Sequence, residues 1–279
     1  MGFHKLHAVE WGRRRSGRLV VCAHGYSGNA RDFDFLARRL AREARVVCPD
    51  VAGRGRSAWL ATPLAYHFPQ FLADLRALVS ELGEAAVDWV GTSMGGLLGM
   101  LLAAEPHSFV RRLVLNDVGA FIPARALAAI GRNLHGPQRF PSLAELEQHV
   151  RRTHRGWGRM SERQFRHLVK HAARRFPDGY ALHYDPQIAS LVQPLALAPG
   201  LSFWNAWRHV RCPVLIVRGQ RSSILPREVV RAMVQAKPQT RVVEVAGAGH
   251  APSLMEDAQI EAVAQFLERR EAKTLPPAA

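Results

Sequence analysis

Three short stretches of the chain carry residue types that together make a nucleophile, a general base and a pair of anion-stabilising donors. In the first, the apolar run Val87-Asp88-Trp89-Val90 leads into Gly91-Thr92-Ser93-Met94-Gly95-Gly96, and a second apolar run, Leu97 to Leu102, leads out. A strand that turns tightly into a helix in this way exposes Ser93 at the carboxyl edge of a sheet and at a helix N-terminus. Free N–H groups and the helix dipole favour developing negative charge there. So tight a turn leaves no room for a Cβ two residues to either side, which accounts for Gly91 and Gly95, and it strains the serine backbone. In the second stretch, Val20 to Ala23 ends in His24-Gly25-Tyr26-Ser27-Gly28. The backbone N–H of Tyr26 can face Ser93 and, with the N–H of Met94, make a two-donor oxyanion hole worth about 3–4 kcal/mol per donor. His24 itself reads as structural. The third stretch, Val242 to Val245 followed by Ala246-Gly247-Ala248-Gly249-His250, brings one of the thirteen histidines to the same rim on a glycine-rich loop, the place of a general base.

The elements that must position these residues are visible as recurring apolar runs. Leu19 to His24, Arg45 to Asp50, Val87 to Ser93, Leu113 to Asp117, Val214 to Gly219 and Arg241 to Gly247 each fit a strand buried on both faces, as a parallel sheet requires. Between them lie helical patterns such as Phe33, Leu36, Leu40 and Phe71, Leu72, Leu75, Leu78, Val79, Leu82, the latter stopped by Gly83. Alternation of strand and helix predicts an α/β fold with a doubly wound, mostly parallel sheet. Phe3 to Trp11 with the turn Arg13 to Gly17 reads as an antiparallel edge hairpin. The rhythm breaks between 120 and 211, which carries helical patterns and no buried strand and reads as a helical cap on a core made of 1–119 and 212–272. Its aromatics (Trp157, Phe165, Tyr180, Tyr184, Trp204, Trp207) either roof an apolar pocket or pack the cap onto the sheet. Residues 273–279, ending Leu-Pro-Pro-Ala-Ala, read as a disordered tail.

Composition narrows the function classes. The 279 residues are 48% hydrophobic and 22% charged, a globular composition, with no apolar run of membrane-spanning length and no apolar leader after Met1. Cys22, Cys48 and Cys212 lie in or beside apolar runs at scattered spacings, which argues against a disulfide framework or a zinc site and fits a reducing, cytoplasmic setting. The net charge of +15 comes from 34 arginines and four lysines against 23 acids, and the stretch from Gly131 to Arg175 alone carries +8. Such a field attracts anions, although charge runs ordinarily lie on solvated faces. Without a recognition motif, nucleic-acid binding is not expected.

Taken in order, His24-Gly25-Tyr26, Asp50-Val51-Ala52-Gly53-Arg54-Gly55-Arg56-Ser57, Gly91-Thr92-Ser93-Met94-Gly95, Asn116-Asp117-Val118-Gly119 and Gly247-Ala248-Gly249-His250 resemble the α/β-hydrolase fold family, in its capped serine esterase-like branch, over nearly the whole chain. The resemblance implies Ser93 as nucleophile and His250 as base, Asp50 and the Gly53–Ser57 turn as pocket rim, and neither cofactor nor metal. It implies a small apolar or aromatic ester, thioester or lactone as substrate. One departure matters. Family members place the triad acid in a loop Arg-Gly-x-x-Ser-Asp-x-Leu, whereas this chain reads Arg218-Gly219-Gln220-Arg221-Ser222-Ser223-Ile224-Leu225. Among the carboxylates between Ser93 and His250, only Asp117 ends a core strand on the carboxyl rim. Either Asp117 has taken the role, as in some branches, or the triad is degenerate around Ser223 or water. Two other readings accompany ester hydrolysis: carbon–carbon bond hydrolysis by the same Ser/His pair, and a binding module that has lost turnover with its acid.

Overall fold

The computed structural model describes residues 3–13, 17–134, 139–192 and 199–269. The first half runs β1 (His7–Trp11), β2 (Leu19–Ala23), α1 (Asp34–Leu40), β3 (Arg45–Asp50), α2 (Phe68–Glu81), β4 (Val87–Thr92), α3 (Met94–Ala103) and β5 (Val110–Asn116). An insertion follows with β6 (Phe121–Pro123), α4 (Ala124–Leu134), β7 (Arg139–Phe140), α5 (Leu143–Thr153), α6 (Glu162–Ala172), β8 (Ala173–Phe176), β9 (Gly179–Leu182), α7 (Ala189–Val192), β10 (Gly200–Ser202) and α8 (Trp204–His209). The chain then returns through β11 (Val214–Gly219), α9 (Arg227–Ala236), β12 (Arg241–Val245) and α10 (Asp257–Glu268).

Seven strands form one sheet in the order β1-β3-β2-β4-β5-β11-β12, parallel except for β1. Period-two alternation sorts its side chains between two cores. Leu19, Val21, Trp89, Leu113, Leu115 and Ile216 face one side, where α2, α3 and α8 contribute Phe71, Leu98 and Trp207. Val20, Cys22, Val90, Val114, Leu215 and Val217 face the other, where α1 and α10 contribute Leu36, Val263 and Phe266. Both faces are covered, which is why the central strands read as unbroken apolar runs.

Two expectations need correction. The N-terminal strand is an antiparallel edge strand, but it pairs with β3 and not with β2, so there is no hairpin. Both edges of the fully buried β2 are taken by β3 and β4, and half-buried β1 is left the outer edge of β3. The expected turn falls partly on residues 14–16, outside the described residues, as does the tail 273–279. The insertion, read as purely helical, also holds a three-stranded antiparallel sheet β7-β9-β8 and a β10-β6 pair. These strands are two to four residues long and mostly half-exposed, so they lack the apolar β-branched runs that marked the core strands.

Close packing of α3 on the sheet underlies the site. Trp89 is fully buried, and its Nε1–H donates to the carbonyl of Gly95 at 2.9 Å. A Cβ on Gly99 would overlap the Trp89 indole and lie 3.0 Å from Leu113 Cδ1. Gly99→Ala gains about 1 kcal/mol of helix propensity but loses about 1–3 kcal/mol to overpacking. The melting temperature is expected to fall by roughly 3 °C in calorimetry, whereas a rise would show that the indole moves aside at no cost.

Candidate active site

Ser93 stands between β4 and α3 with φ 51° and ψ −115°, a left-handed backbone for a residue with a Cβ. Two close approaches hold it there. A Cβ on Gly91 would run into the Gly95 backbone, and one on Gly95 into the carbonyl of Ala23. The N–H of Ser93 donates to the carbonyl of Asn116 at 3.0 Å, tying the turn to the end of β5.

The structure brings Ser93, His250 and Asp117 together. Ser93 Oγ lies 2.9 Å from His250 Nε2, and His250 Nδ1 donates to Asp117 Oδ2 at 2.7 Å. Asp117 follows β5 with φ 57°, a conformation that aspartate tolerates better than most residues, and is fully buried. Its Oδ1 accepts the Gly219 N–H at 2.7 Å, and its Oδ2 also accepts the Ser222 hydroxyl at 2.5 Å. Three donors from two segments, the end of β11 with its loop and the His250 loop, therefore hold this carboxylate.

Ser222, not Ser223, is the serine that matters in the loop after β11. The Ser222 hydroxyl donates to Asp117 while accepting the N–H groups of Ile224 and Leu225 at 3.2 and 3.0 Å. Ser223 is exposed. Sequence reasoning missed Ser222 because its signal was a gap in a motif one position later. Asn116 was likewise noted only as part of a motif. Its side-chain amide donates to Thr92 Oγ1 at 3.0 Å and to the carbonyl of Pro252 at 2.9 Å, joining the serine turn to the loop that carries His250.

The loop of His24 and Tyr26 lies against Ser93, since a Cβ on Gly25 would sit 3.7 Å from Ser93 Cβ. His24 Nδ1–H donates to the Gly25 carbonyl at 2.6 Å, and Nε2 accepts the Val51 N–H at 2.9 Å. The Gly25 carbonyl and the Tyr26 N–H belong to one peptide unit, so this bond fixes which way that N–H points. Below it the fully buried Arg54 donates to the Tyr26 carbonyl at 2.8 Å and lies over the Tyr26 ring at 4.8 Å. Burial lowers the Arg54 guanidinium to about 10.

A cavity of about 180 Å³ opens onto Ser93 and His250. Core residues such as Tyr26 and Phe33 line one side, and the insertion supplies the other through Ile130, Leu134, Trp157 and Leu168. Five histidines line it (His24, His149, His154, His183 and His250). Burial lowers His24 and His154 to about 4 and also lowers His149 and His183. Asp32, in a capping box with Asn29 just after the His24–Tyr26 loop, is pushed up to about 7 by burial. Tyr180, Trp204 and Trp207 do not line this cavity, and Trp207 belongs to the main core.

One cluster among the described residues has the composition of a metal site: Asp34, His167 and His171, with ligand atoms within 4.8 Å of one another. Two of its three members are already engaged. Arg31 Nε and Nη2 hold the Asp34 carboxylate at 2.8 and 2.5 Å, and His167 Nε2 lies 3.0 Å from the Arg31 carbonyl. Asp34 and His167 thus belong to a polar network joining α1 to α6.

A model of the alpha/beta hydrolase family matches residues 20–266. The chain belongs to that family. A 3-hydroxybutyrate-oligomer hydrolase of Cupriavidus necator is 43% identical over 275 residues, spanning 95% of this chain and 93% of that protein. A pimeloyl-[acyl-carrier protein] methyl ester esterase of Yersinia pseudotuberculosis is 27% identical over 84% of this chain and 86% of its own length. The crystal structure of an alpha/beta hydrolase from Novosphingobium aromaticivorans superposes with a TM-score of 0.87 at 32% identity, covering 96% of this chain and 95% of that one. The relatives are hydrolases, and this alpha/beta hydrolase is an enzyme of that type. None of its described helices is long and apolar enough to cross a membrane.

The buried histidines make the stability of this alpha/beta hydrolase depend on pH. His24, His154 and His171 are all lowered to about 4, chiefly by burial. Between about pH 6.5 and 4 the unfolded chain therefore binds protons that the folded chain refuses, and stability falls as pH falls through that window. Asp32 acts in the opposite sense, because its raised value lets the folded state take up a proton first as pH drops below about 7. Three groups outweigh one. The melting temperature is expected to drop by roughly 5 °C from pH 7 to pH 5, and a flat or rising profile would contradict the neutral, buried state of these imidazoles.

Proposed function

We propose that this enzyme hydrolyses carboxylic esters of small hydroxy acids through an acyl-enzyme on Ser93. The observation that carries the reading is the continuous hydrogen-bond chain Ser93–His250–Asp117 at 2.9 and 2.7 Å, opening on a closed-in cavity. His250 Nε2 takes the Ser93 proton as Oγ bonds to the ester carbonyl carbon. The carbonyl oxygen becomes an oxyanion facing the N–H groups of Tyr26 and Met94. Collapse of this intermediate breaks the bond to the leaving alkoxide, which receives the proton from His250. Water, deprotonated by the same nitrogen, then bonds to the acyl carbon and releases the acid and Ser93. Asp117 keeps the Nδ1–H tautomer and stabilises the imidazolium without itself taking the proton. That carboxylate on His250 is what favours turnover over a binding-only role.

Size and charge support the substrate class. The cavity is smaller than the roughly 300–1,000 Å³ of sites for drug-sized ligands, and the insertion acts as its cap. His183 also lines an adjoining groove with Arg56, Arg139 and Arg174, cations suited to a carboxylate at the far end of a hydroxy-acid oligomer. Oligomers of 3-hydroxybutyrate, named for the Cupriavidus relative, combine the ester, the small repeat and that carboxylate.

Ser93→Ala is expected to lower kcat on a 3-hydroxybutyrate dimer by at least about a thousandfold and to abolish labelling by a fluorophosphonate; unchanged turnover would sink the mechanism. Asp117→Asn should cost about a hundredfold or more, Ser222→Ala a few-fold as one of three donors to Asp117 is lost, and Ser223→Asp almost nothing. A large gain from Ser223→Asp would mean instead that the acid is missing.

A further inference from the structure

Two histidines of the insertion have their tautomers set by their own neighbours. His149 Nδ1 is 3.1 Å from Nη2 of Arg152, and a guanidinium can only donate, so this nitrogen is an acceptor and the proton of the neutral ring sits on Nε2. His154 is the reverse. Its Nδ1 is 3.0 Å from the carbonyl of Val150, which can only accept, and 2.9 Å from Thr153 Oγ1, whose own proton goes to the carbonyls of His149 and Val150, so the proton sits on Nδ1 and Nε2 is a bare acceptor. The edge of the Trp157 ring, with centroids 4.2 Å apart, holds the His154 ring in place. Both Nδ1 atoms are turned onto α5 and its C-terminal end. Both residues line the Ser93 cavity, and neither Nε2 has a hydrogen-bond partner among the described residues. Burial keeps both rings neutral near pH 7.

The cavity wall thus offers one unused donor, His149 Nε2–H, and one unused acceptor, His154 Nε2. An ester or ketone oxygen can only accept and a carboxylate only accepts, so each leaves the lone pair of His154 unmatched. A hydroxyl group can answer either, because it can accept from His149 Nε2–H and can donate to His154 Nε2. We propose that His149 and His154 are specificity-determining residues that read a free hydroxyl on the acyl half of the substrate. This rests on the ester-hydrolase reading of Ser93. In a linear hydroxy-acid oligomer, the unit bearing the free hydroxyl is the acyl side of its ester bond and the carboxylate lies on the alcohol side. The hydroxyl-reading cap therefore selects cleavage from the hydroxyl end, releasing one hydroxy acid at a time, with the carboxylate end toward the arginine-lined groove.

The test compares methyl esters of 3-hydroxybutyrate, 3-methoxybutyrate and butyrate, which share a leaving group, by acid release. For the wild type, kcat/KM is expected to be at least tenfold higher for the hydroxy ester than for either other ester, since the methoxy oxygen accepts but cannot donate. In His154→Leu the hydroxy-to-methoxy ratio should fall at least fivefold, and in His149→Leu the hydroxy-to-butyrate ratio should fall likewise. His149→Gln, which restores an N–H donor, should recover most of the loss. A wild-type ratio near one overturns the proposal without any variant, as do unchanged ratios in folded leucine variants. Hydrolysis of none of the esters, together with no labelling of Ser93 by a fluorophosphonate, overturns the ester-hydrolase reading and this inference with it, a result distinct from turnover without discrimination.

Discussion

Two consecutive residues at the end of β5 hold the site together. The Asn116 carbonyl accepts the N–H of Ser93, and its side-chain amide reaches the Pro252 carbonyl in the histidine loop. Asp117 accepts from that loop through His250 and from the loop after β11 through Gly219 and Ser222. Three loops from distant parts of the chain are thereby set against one strand end. A carboxylate buried without partners would cost several kcal/mol, so the fold that buries Asp117 is obliged to bring those donors to it. The sheet supplies the rigidity: β4, β5 and β11 are adjacent and parallel, and their carboxyl ends lie at one edge.

Burial shapes the rest of the site. A wall of imidazoles would be a cationic surface if the rings were protonated, repelling one another and the surrounding arginines. Held neutral by desolvation, His24, His149, His154 and His183 instead present one donor and one acceptor each, and the backbone or an arginine decides which nitrogen is which. In the insertion much of the charge lies at the surface. There Arg151 joins Glu147 to Glu162 across α5 and α6, an exposed pairing that contributes little to stability. The excess arginines give the surface its positive field without entering the hydrogen-bond chain of Ser93, His250 and Asp117.

The parallel core strands, the helices between them and the glycine-bounded serine were readable because each follows from a local rule. Strands buried on both faces must be continuously apolar, amphipathic helices repeat near 3.6 residues, and a turn as tight as that at Ser93 admits only glycine at 91 and 95. The Gly-Ala-Gly approach to His250 was visible for the same reason. Where several segments compete for the same partner, local rules are silent. The edge strand His7–Trp11 carried no mark of whether it would pair with its sequence neighbour or with β3. The strands of the insertion, two to four residues long and with exposed arginines such as Arg139 and Arg174, are too short to carry a readable pattern.

The sequence by itself determined the fold class, the family resemblance and the serine and histidine placed for chemistry, because those depend on patterns within ten or so residues. Only the tertiary structure set Asp117, and not Ser223, against His250, since the partners of Asp117 are 102 to 133 residues away along the chain and become neighbours only when β5 and β11 lie side by side. It likewise singled out Ser222, Asn116, His149 and His154, whose roles rest on the direction of a hydrogen bond and not on residue type. Such a direction is set by which backbone carbonyl or guanidinium stands opposite the side chain, and that is known only once the chain has packed.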